Sequence, residues 1–140
     1  MTVKIAKTEA EVQKCWYVFS LLRPHLTEEV FVKTVMEMLN EGYQLAYIEE
    51  EGEVVSAVGF RYLQMLYNGK QFYIDDLTTS DKARGKGHGT TLLDYVIELA
   101  KANNYDCVTL DSGPTRHTAH RLYLNKGFQI SSHHFVKKLD

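Results

Sequence analysis

The sequence predicts an α/β protein in which a mixed, mostly antiparallel sheet has helices on both faces. Apolar residues recur at helical spacing through residues 9–39. Strand-like segments follow, and Asn68-Gly69, a strong hairpin signal, joins two of them as antiparallel neighbours. A glycine-rich loop, a helix and a compact apolar strand come next. This order makes the new strand parallel to the strand before the loop.

The first part of the chain predicts one short strand and two helices. The strand covers residues 3–6. A capping-box signature at Thr8 begins the first helix, which ends at residues 23–25, where a proline interrupts the pattern. Thr27 caps a second helix over residues 28–40.

The rest of the chain predicts five strands and two helices. The strands cover residues 43–49, 54–67, 70–79, 105–110 and 129–139. The helices cover residues 90–102 and 115–125. We expect the strand at 105–110 to be central in the sheet and the last strand to lie at an edge, where it could pair across a homodimer interface.

Length and charge limit the classes of function. With 140 residues the chain is the size of one domain, so we expect residues 1–140 to form a single domain. The formal net charge of −2 argues against a nucleic-acid partner, which needs a basic surface. No apolar run approaches membrane-spanning length, so we expect a cytoplasmic protein without membrane contact. Cys15 and Cys107 fall within apolar patterns and are predicted to be free thiols.

The most informative stretch is the loop at residues 84–89, Arg-Gly-Lys-Gly-His-Gly, between a strand and a helix. Glycines there allow positive φ, and the amides of the helix's first turn can bind a phosphate. A P-loop is excluded because no Gly-Lys-Ser/Thr sequence ends the loop; Lys86 lies inside it. A dinucleotide-binding loop is excluded because Thr90 stands where the third glycine belongs.

Three motifs stand in order along the chain. They are Ile74-Asp75-Asp76-Leu77 on a strand, Arg84-x-x-Gly87-x-Gly89 in the loop, and Ala119-x-x-x-Tyr123-x-x-x-Gly127-Phe128 at the last helix. Together with the order of elements, these motifs resemble the GCN5-related N-acetyltransferase (GNAT) superfamily over nearly the whole chain. The resemblance implies a GNAT-like fold and an enzyme that moves an acetyl group from acetyl-CoA to a primary amine, with no metal ion.

The resemblance also implies roles for individual residues. A backbone N–H of Leu77 would stabilise the oxyanion, and Tyr123 would protonate the leaving thiolate. The residues implied in acetyl-CoA binding are Leu77, Thr78, Thr79, Arg84, Gly85, Lys86, Gly87, His88, Gly89 and Thr90. Among them, we expect the side chains of Lys86 and His88 to be solvated.

The sequence offers more than one acid as the base that deprotonates the amine. Asp75 and Asp76 are adjacent on a strand, so their side chains are expected to face opposite sides and only one to face the cleft. Either acid would act as the base, through water, or both would orient the substrate or cap a bulge. Asp111, at the end of the next strand, is a third candidate.

The identity of the acceptor stays open as well. A small-molecule amine is the leading hypothesis; a non-catalytic acyl-CoA sensor and a protein N-acetyltransferase are the alternatives. Residues 116–124 are also similar to a run in aminoalkylphosphonate N-acetyltransferases. That resemblance implies an anionic substrate near Arg23, His25, Arg61 or Arg116. The histidine pairs His117/His120 and His133/His134 are interpreted as surface or helix-end residues rather than metal ligands.

Overall fold

Five strands form one sheet and follow one another in chain order across it. In the computed structural model, which describes residues 1–140, they are β1 (Lys4–Ile5), β2 (Tyr43–Glu50), β3 (Glu53–Met65), β4 (Gly69–Thr79) and β5 (Cys107–Leu110). Strands β1 to β4 pair antiparallel, and β5 pairs parallel to β4. The predicted mixed sheet is therefore confirmed. The predicted central position of β5 is wrong, because no strand of the sheet pairs beyond it.

Five helices accompany the sheet: α1 (Glu9–Lys14), α2 (Trp16–Leu22), α3 (Glu28–Leu39), α4 (His88–Ala102) and α5 (His117–Asn125). The helix predicted to begin at Thr8 is divided at Cys15, whose amide bonds back to Val12 rather than continuing the regular pattern. Cys15, at this break, is fully buried. The capping box at Thr8 and the cap at Thr27 are both present. No helix is long and apolar enough to cross a membrane.

The sheet is covered on both faces. On one face, α1, α2 and α3 pack against alternate residues of β2, and this cluster includes Phe19, Phe31 and Leu45. On the other face, α4 packs against β3 and β4, where the ring of Tyr95 lies 6.4 Å from that of Phe60. The helical spacing of the apolar residues in α4 accounts for its buried stripe.

The chain divides into two compact units, Met1–Leu110 and Asp111–Asp140. The second unit contains α5, followed by residues 126–140. The strand predicted over residues 129–139 is wrong, since no residue after α5 is in a strand. The apolar side chains of Ile130, Phe135 and Leu139 in this segment are exposed. A strand requires a hydrogen-bonding partner, and residue preference alone does not supply one.

Candidate functional site

A β-bulge in β4 determines how the two adjacent acids are presented. Gly59 of β3 pairs with Asp76, but the next residue, Phe60, pairs with Ile74, so Asp75 is an extra residue in β4. The bulge rotates Asp75 out of regular alternation. Both carboxyl side chains therefore line one cavity. The expectation that they face opposite sides is wrong, because it assumed an unbroken ladder.

This cavity, which we call the acid cavity, has a volume of about 450 Å³, within the usual size of a small-molecule site. It lies entirely within the first unit, between α2, α3, β2 and β4. Its apolar wall consists of Phe19, Leu26, Phe31, Val35 and Met38. Its polar lining consists of Arg23, His25, Thr34, Tyr43, Tyr73, Asp75 and Asp76.

Each carboxylate of the acid cavity is paired with an arginine. Arg61 contacts Asp75 in a bidentate manner, with Nε 3.0 Å from Oδ1 and Nη2 2.8 Å from Oδ2. Arg23, at the C-terminal end of α2, places Nη2 2.8 Å from Oδ1 of Asp76. The same Nη2 donates to the backbone carbonyl of Asp75 over 3.1 Å. Arg23 therefore ties the α2–α3 connection to the bulge itself.

Tyr43 supplies a third contact to the acids. Its hydroxyl donates to Oδ2 of Asp76 over 2.8 Å, and the Arg61 guanidinium lies 5.3 Å from the centre of its ring. Burial raises the pKa of Tyr43 well above its usual value, and the charge of Asp76 acts in the same direction. The phenol is therefore neutral, and it donates to Asp76 across the whole physiological pH range.

The charge state of Asp75 reflects two opposing effects. Burial, the larger effect, raises the pKa of the Asp75 carboxyl, while its hydrogen bonds with Arg61 lower it. The same contact raises the pKa of Arg61. A bidentate guanidinium–carboxylate contact at these distances favours the ionised pair. At neutral pH we therefore treat Asp75 as a carboxylate, with a pKa nearer to neutrality than that of an exposed aspartate.

Beyond the bulge, one edge of β4 is open. Strand β5 pairs with β4 only from Gln71 to Ile74, so residues 75–79 have a strand partner on one side alone. The amide of Ser80 donates to Val55 of β3. Because amide direction alternates along a strand, the N–H groups of Leu77 and Thr79 face the open edge. A ligand in an extended conformation can pair with this edge through backbone hydrogen bonds, like an added strand.

Side chains on the same stretch fix its position. Thr78 is buried, and its hydroxyl donates to the backbone carbonyl of Val18 in α2 over 2.8 Å. Ser56 is buried and donates to the carbonyl of Thr78 over 2.9 Å. The Ser56 and Thr79 hydroxyl oxygens lie 2.8 Å apart. The side chain of Thr78 thus holds β4 against α2. The backbone groups available at the open edge are those of Leu77 and Thr79.

The glycine loop has the backbone that the sequence predicts for a phosphate cradle. Gly85 and Gly87 have φ of 81° and 84°, in the left-handed region, and Gly87 is the N-cap of α4. The side chains of Arg84 and Lys86 are exposed. The loop therefore presents the free amides of the α4 N-terminus together with two exposed cations, a combination suited to a phosphate.

His88, the first residue of α4, departs from expectation. Its side chain is 1% exposed, so the prediction that it is solvated is wrong. Its Nε2 lies 2.5 Å from Oε1 of Glu50, near the β2–β3 turn, without the alignment of a hydrogen bond. The imidazole therefore packs in the interior beside Glu50, and only the backbone of His88 is available to a ligand.

Two other predicted site residues, Tyr123 and Asp111, belong to the second unit. Tyr123 lies on α5 and is buried, with its ring 5.9 Å from that of Phe128. Burial raises the pKa of its hydroxyl, and Arg116 opposes this to a lesser extent. Asp111 is exposed, and its Oδ1 lies 3.6 Å from Nδ1 of His134.

Sequence reasoning missed the network that holds the acids. Arg23 and Arg61 were considered only as contacts for an anionic ligand, and Tyr43 was not singled out. Gly59 lies within the strand predicted over residues 54–67. That glycine was the one available signal, because a glycine inside a strand marks a bulge or a close approach.

The chain matches the model of the Acetyltransferase (GNAT) family over residues 8–128. The uncharacterized N-acetyltransferase YhdJ of Bacillus subtilis (strain 168) is 31% identical over 137 residues, which cover 96% of each protein. Streptothricin acetyltransferase A of the same organism is 28% identical over 118 residues, covering 79% of this chain and 64% of that protein. None of these matches supports the aminoalkylphosphonate resemblance.

Solved structures share the fold. A transcriptional regulator from Bacillus halodurans C-125 superposes with a TM-score of 0.86 at 23% identity, covering 99% of each chain. A ribosomal-protein-alanine N-acetyltransferase from Brucella melitensis biovar Abortus 2308 does so with a TM-score of 0.84 at 13% identity. With a family model that spans most of its length, this chain belongs to the GNAT family and is an N-acetyltransferase that uses acetyl-CoA.

Proposed function

We propose that this N-acetyltransferase transfers the acetyl group directly to the primary amine of a small molecule, within a ternary complex and with residues 1–140 acting as one domain. The observation that carries the proposal is the acid cavity beside the open edge of β4. The cavity offers carboxylates to an amine, and the open edge offers amides to the acyl donor. Direct transfer requires the two ligands to meet at such a boundary.

The acyl donor would be held by backbone groups at two places. The pyrophosphate of CoA fits the amides of residues 84–90, with Arg84 and Lys86 adding screened charge. The pantetheine arm fits the open edge, where it can pair with Leu77 and Thr79 as an added strand. Thr78 contributes by holding β4 in place.

During attack, negative charge develops on the thioester oxygen. We assign its stabilisation to the N–H of Leu77, which faces the open edge two residues after the bulge. A fixed donor aimed at such an oxygen contributes about 3 kcal/mol to catalysis. The bulge, held by Arg23, would keep this donor in position.

The amine must lose a proton before its lone pair can attack. In the acid cavity, Asp75 and Asp76 are the available carboxylates, and we propose that one accepts this proton through water. The nitrogen then bonds to the acyl carbon, the carbon–sulfur bond breaks, and the nitrogen gives up its excess proton to water, from which Tyr123 is later reprotonated. The departing thiolate would take its proton from the Tyr123 hydroxyl, which is neutral at physiological pH because burial raises its pKa.

Two features favour a small acceptor over the alternatives. A sensor of acyl-CoA needs neither an acid cavity nor a buried tyrosine on α5. The acid cavity between α3 and the sheet has a volume of about 450 Å³, which suits a small amine.

The test measures release of free thiol from acetyl-CoA across a panel of amines, beside the thermal shift caused by CoA. We expect CoA to raise the melting temperature and at least one small amine to release thiol. Stabilisation by CoA without turnover on any small amine, but with turnover on a peptide, would favour a protein acceptor. Stabilisation with no turnover at all would favour the sensor.

A further inference from the structure

We infer that Arg23 and Arg61 restrict the acid cavity to acceptors that carry a single positive charge on an otherwise apolar body. This inference rests on the proposed function and narrows it to a substrate class, the apolar monoamines. Polyamines and polycationic amines would be excluded. Three properties of the cavity support this inference: both carboxylates are paired with arginines, one arginine can be displaced, and the rest of the lining is mainly apolar.

The first step concerns charge balance. The cavity holds two carboxylates, and each is already paired with a guanidinium. Around the acids the charges therefore sum to zero. An incoming ammonium ion preserves this charge balance only if it displaces an arginine, and a second ammonium ion would need a second displacement. An unpaired charge left in a partly desolvated cavity is unfavourable.

The second step concerns which arginine can be displaced. The Arg23 side chain is 42% exposed, and it reaches Asp76 from the connection after α2. Released from Asp76, its guanidinium can be solvated at the surface while Nη2 still donates to the backbone carbonyl of Asp75 and holds the bulge. The Arg61 side chain is 25% exposed, bidentate to Asp75 and stacked over the Tyr43 ring. Arg61 is therefore fixed, and the cavity has one replaceable cation position, at Asp76.

The third step concerns the wall. Away from the acids, the cavity is lined mainly by apolar side chains of α2, α3 and their connection, including the buried Phe19, Phe31 and Val35; the polar side chains there, His25 and Thr34, are not carboxylates. A volume of about 450 Å³ accommodates an alkyl or aryl group beyond the amine. Such a group would displace water from apolar surface, whereas a distal ammonium would be placed against it without a partner.

The experiment compares n-hexylamine with 1,6-diaminohexane, which has the same length and one further charge. Calorimetric titration into the complex with CoA measures binding without turnover, and thiol release measures acetylation. We expect n-hexylamine to bind at least about tenfold more tightly, and its kcat/KM to be higher by a similar factor. Equal or tighter binding of the diamine would overturn the inference.

Two variants test whether charge, rather than hydrophobicity alone, sets this preference. Thr34 is exposed and lines the cavity. Thr34→Asp adds a carboxylate for a distal ammonium, and Thr34→Asn is its uncharged control. Arg61→Met frees Asp75 while keeping an apolar stem. We expect Thr34→Asp and Arg61→Met each to narrow the gap between the amines, and Thr34→Asn to leave it unchanged. An unchanged gap in both charged variants would contradict the assignment.

The outcomes separate this inference from the proposed function. If n-hexylamine binds preferentially but no amine releases thiol, the cavity assignment stands and the proposed acetylation of small amines fails. If neither amine binds while other amines are acetylated, the inference fails and the proposed function stands.

Discussion

The hydroxyl of Tyr43 donates to Oδ2 of Asp76 over 2.8 Å, and it reaches that carboxylate across the bare backbone of Gly59. A Cβ at position 59 would lie 1.6 Å from the Tyr43 hydroxyl oxygen and 2.2 Å from the ring carbon that bears it. We therefore expect Gly59→Ala to displace the ring and lower the free energy of unfolding by about 1–3 kcal/mol, as overpacking does. Denaturant unfolding measures this loss.

A double-mutant cycle identifies the cause of that loss. In a Tyr43→Ala background the clash is absent, so Gly59→Ala should cost much less than it does in the wild type. Tyr43→Ala alone will also be destabilising, because it removes a buried ring. Additive effects of the two changes would show that Gly59 serves some purpose other than accommodating Tyr43.

The second prediction concerns the glycine loop at residues 84–89, which we propose binds the pyrophosphate of CoA. Gly87 has φ of 84° with no atom within 4 Å of the position of a Cβ, so any penalty there is conformational rather than steric. For residues other than glycine, the left-handed region costs about 1–2 kcal/mol. We expect Gly87→Ala to weaken CoA binding by roughly tenfold, as measured by calorimetry, and Gly87→Asn to weaken it less because asparagine tolerates this region.

Gly42 provides the matched control for this prediction. It follows α3 with φ of 98°, and it too has open space around the Cβ position. Gly42→Ala should therefore cost similar stability while leaving the affinity for CoA unchanged. A comparable loss of CoA affinity in both variants would mean that the Gly87 effect reflects general destabilisation.

How far the sequence predicts this protein depends on whether the signal is local. The β3–β4 hairpin was predicted from Asn68-Gly69, although its turn covers residues 66–68, and the helix predicted from residue 90 begins at His88. Both elements were predictable from neighbours in sequence. The break of the first helix at Cys15 was not predicted, and the strand predicted over residues 129–139 is absent. Each depends on packing or pairing partners that are distant in the chain.

The same distinction applies to the candidate site. The acids of β4 and the loop were identified from motifs, but the bulge that turns Asp75 toward Asp76 depends on Gly59, which lies on another strand. The arginine partners of the acids come from the end of α2 and from β3. The burial of His88 beside Glu50 was not predicted, because these two residues lie far apart in the sequence. Contacts of this kind leave no pattern in a single sequence.

The third prediction concerns alkaline pH. Burial raises the pKa of the Cys15 thiol to about 12, whereas an unfolded thiol has a pKa of about 8.5. The stability that Cys15 contributes by staying protonated is therefore fully present below about pH 8.5, and it is lost as pH rises toward 12. Between pH 8 and pH 10 this loss amounts to about 1–2 kcal/mol. We expect unfolding measured at both pH values to show a smaller decrease for Cys15→Ala. Equal decreases would exclude Cys15 as the source.

The last prediction tests Tyr123 as the general acid. Tyr123→Phe keeps the ring against Phe128 and removes only the hydroxyl, so we expect kcat to fall by about 10²–10⁴-fold with little change in stability. Because burial raises the pKa of Tyr123, the wild-type hydroxyl stays protonated beyond its usual pKa of about 10, and Tyr123 should cause no loss of rate below that pH. Steady-state kinetics with a saturating amine, together with CoA titration, measure both effects. A Tyr123→Phe enzyme with unchanged kcat and unchanged CoA affinity would assign the proton to water or to another residue.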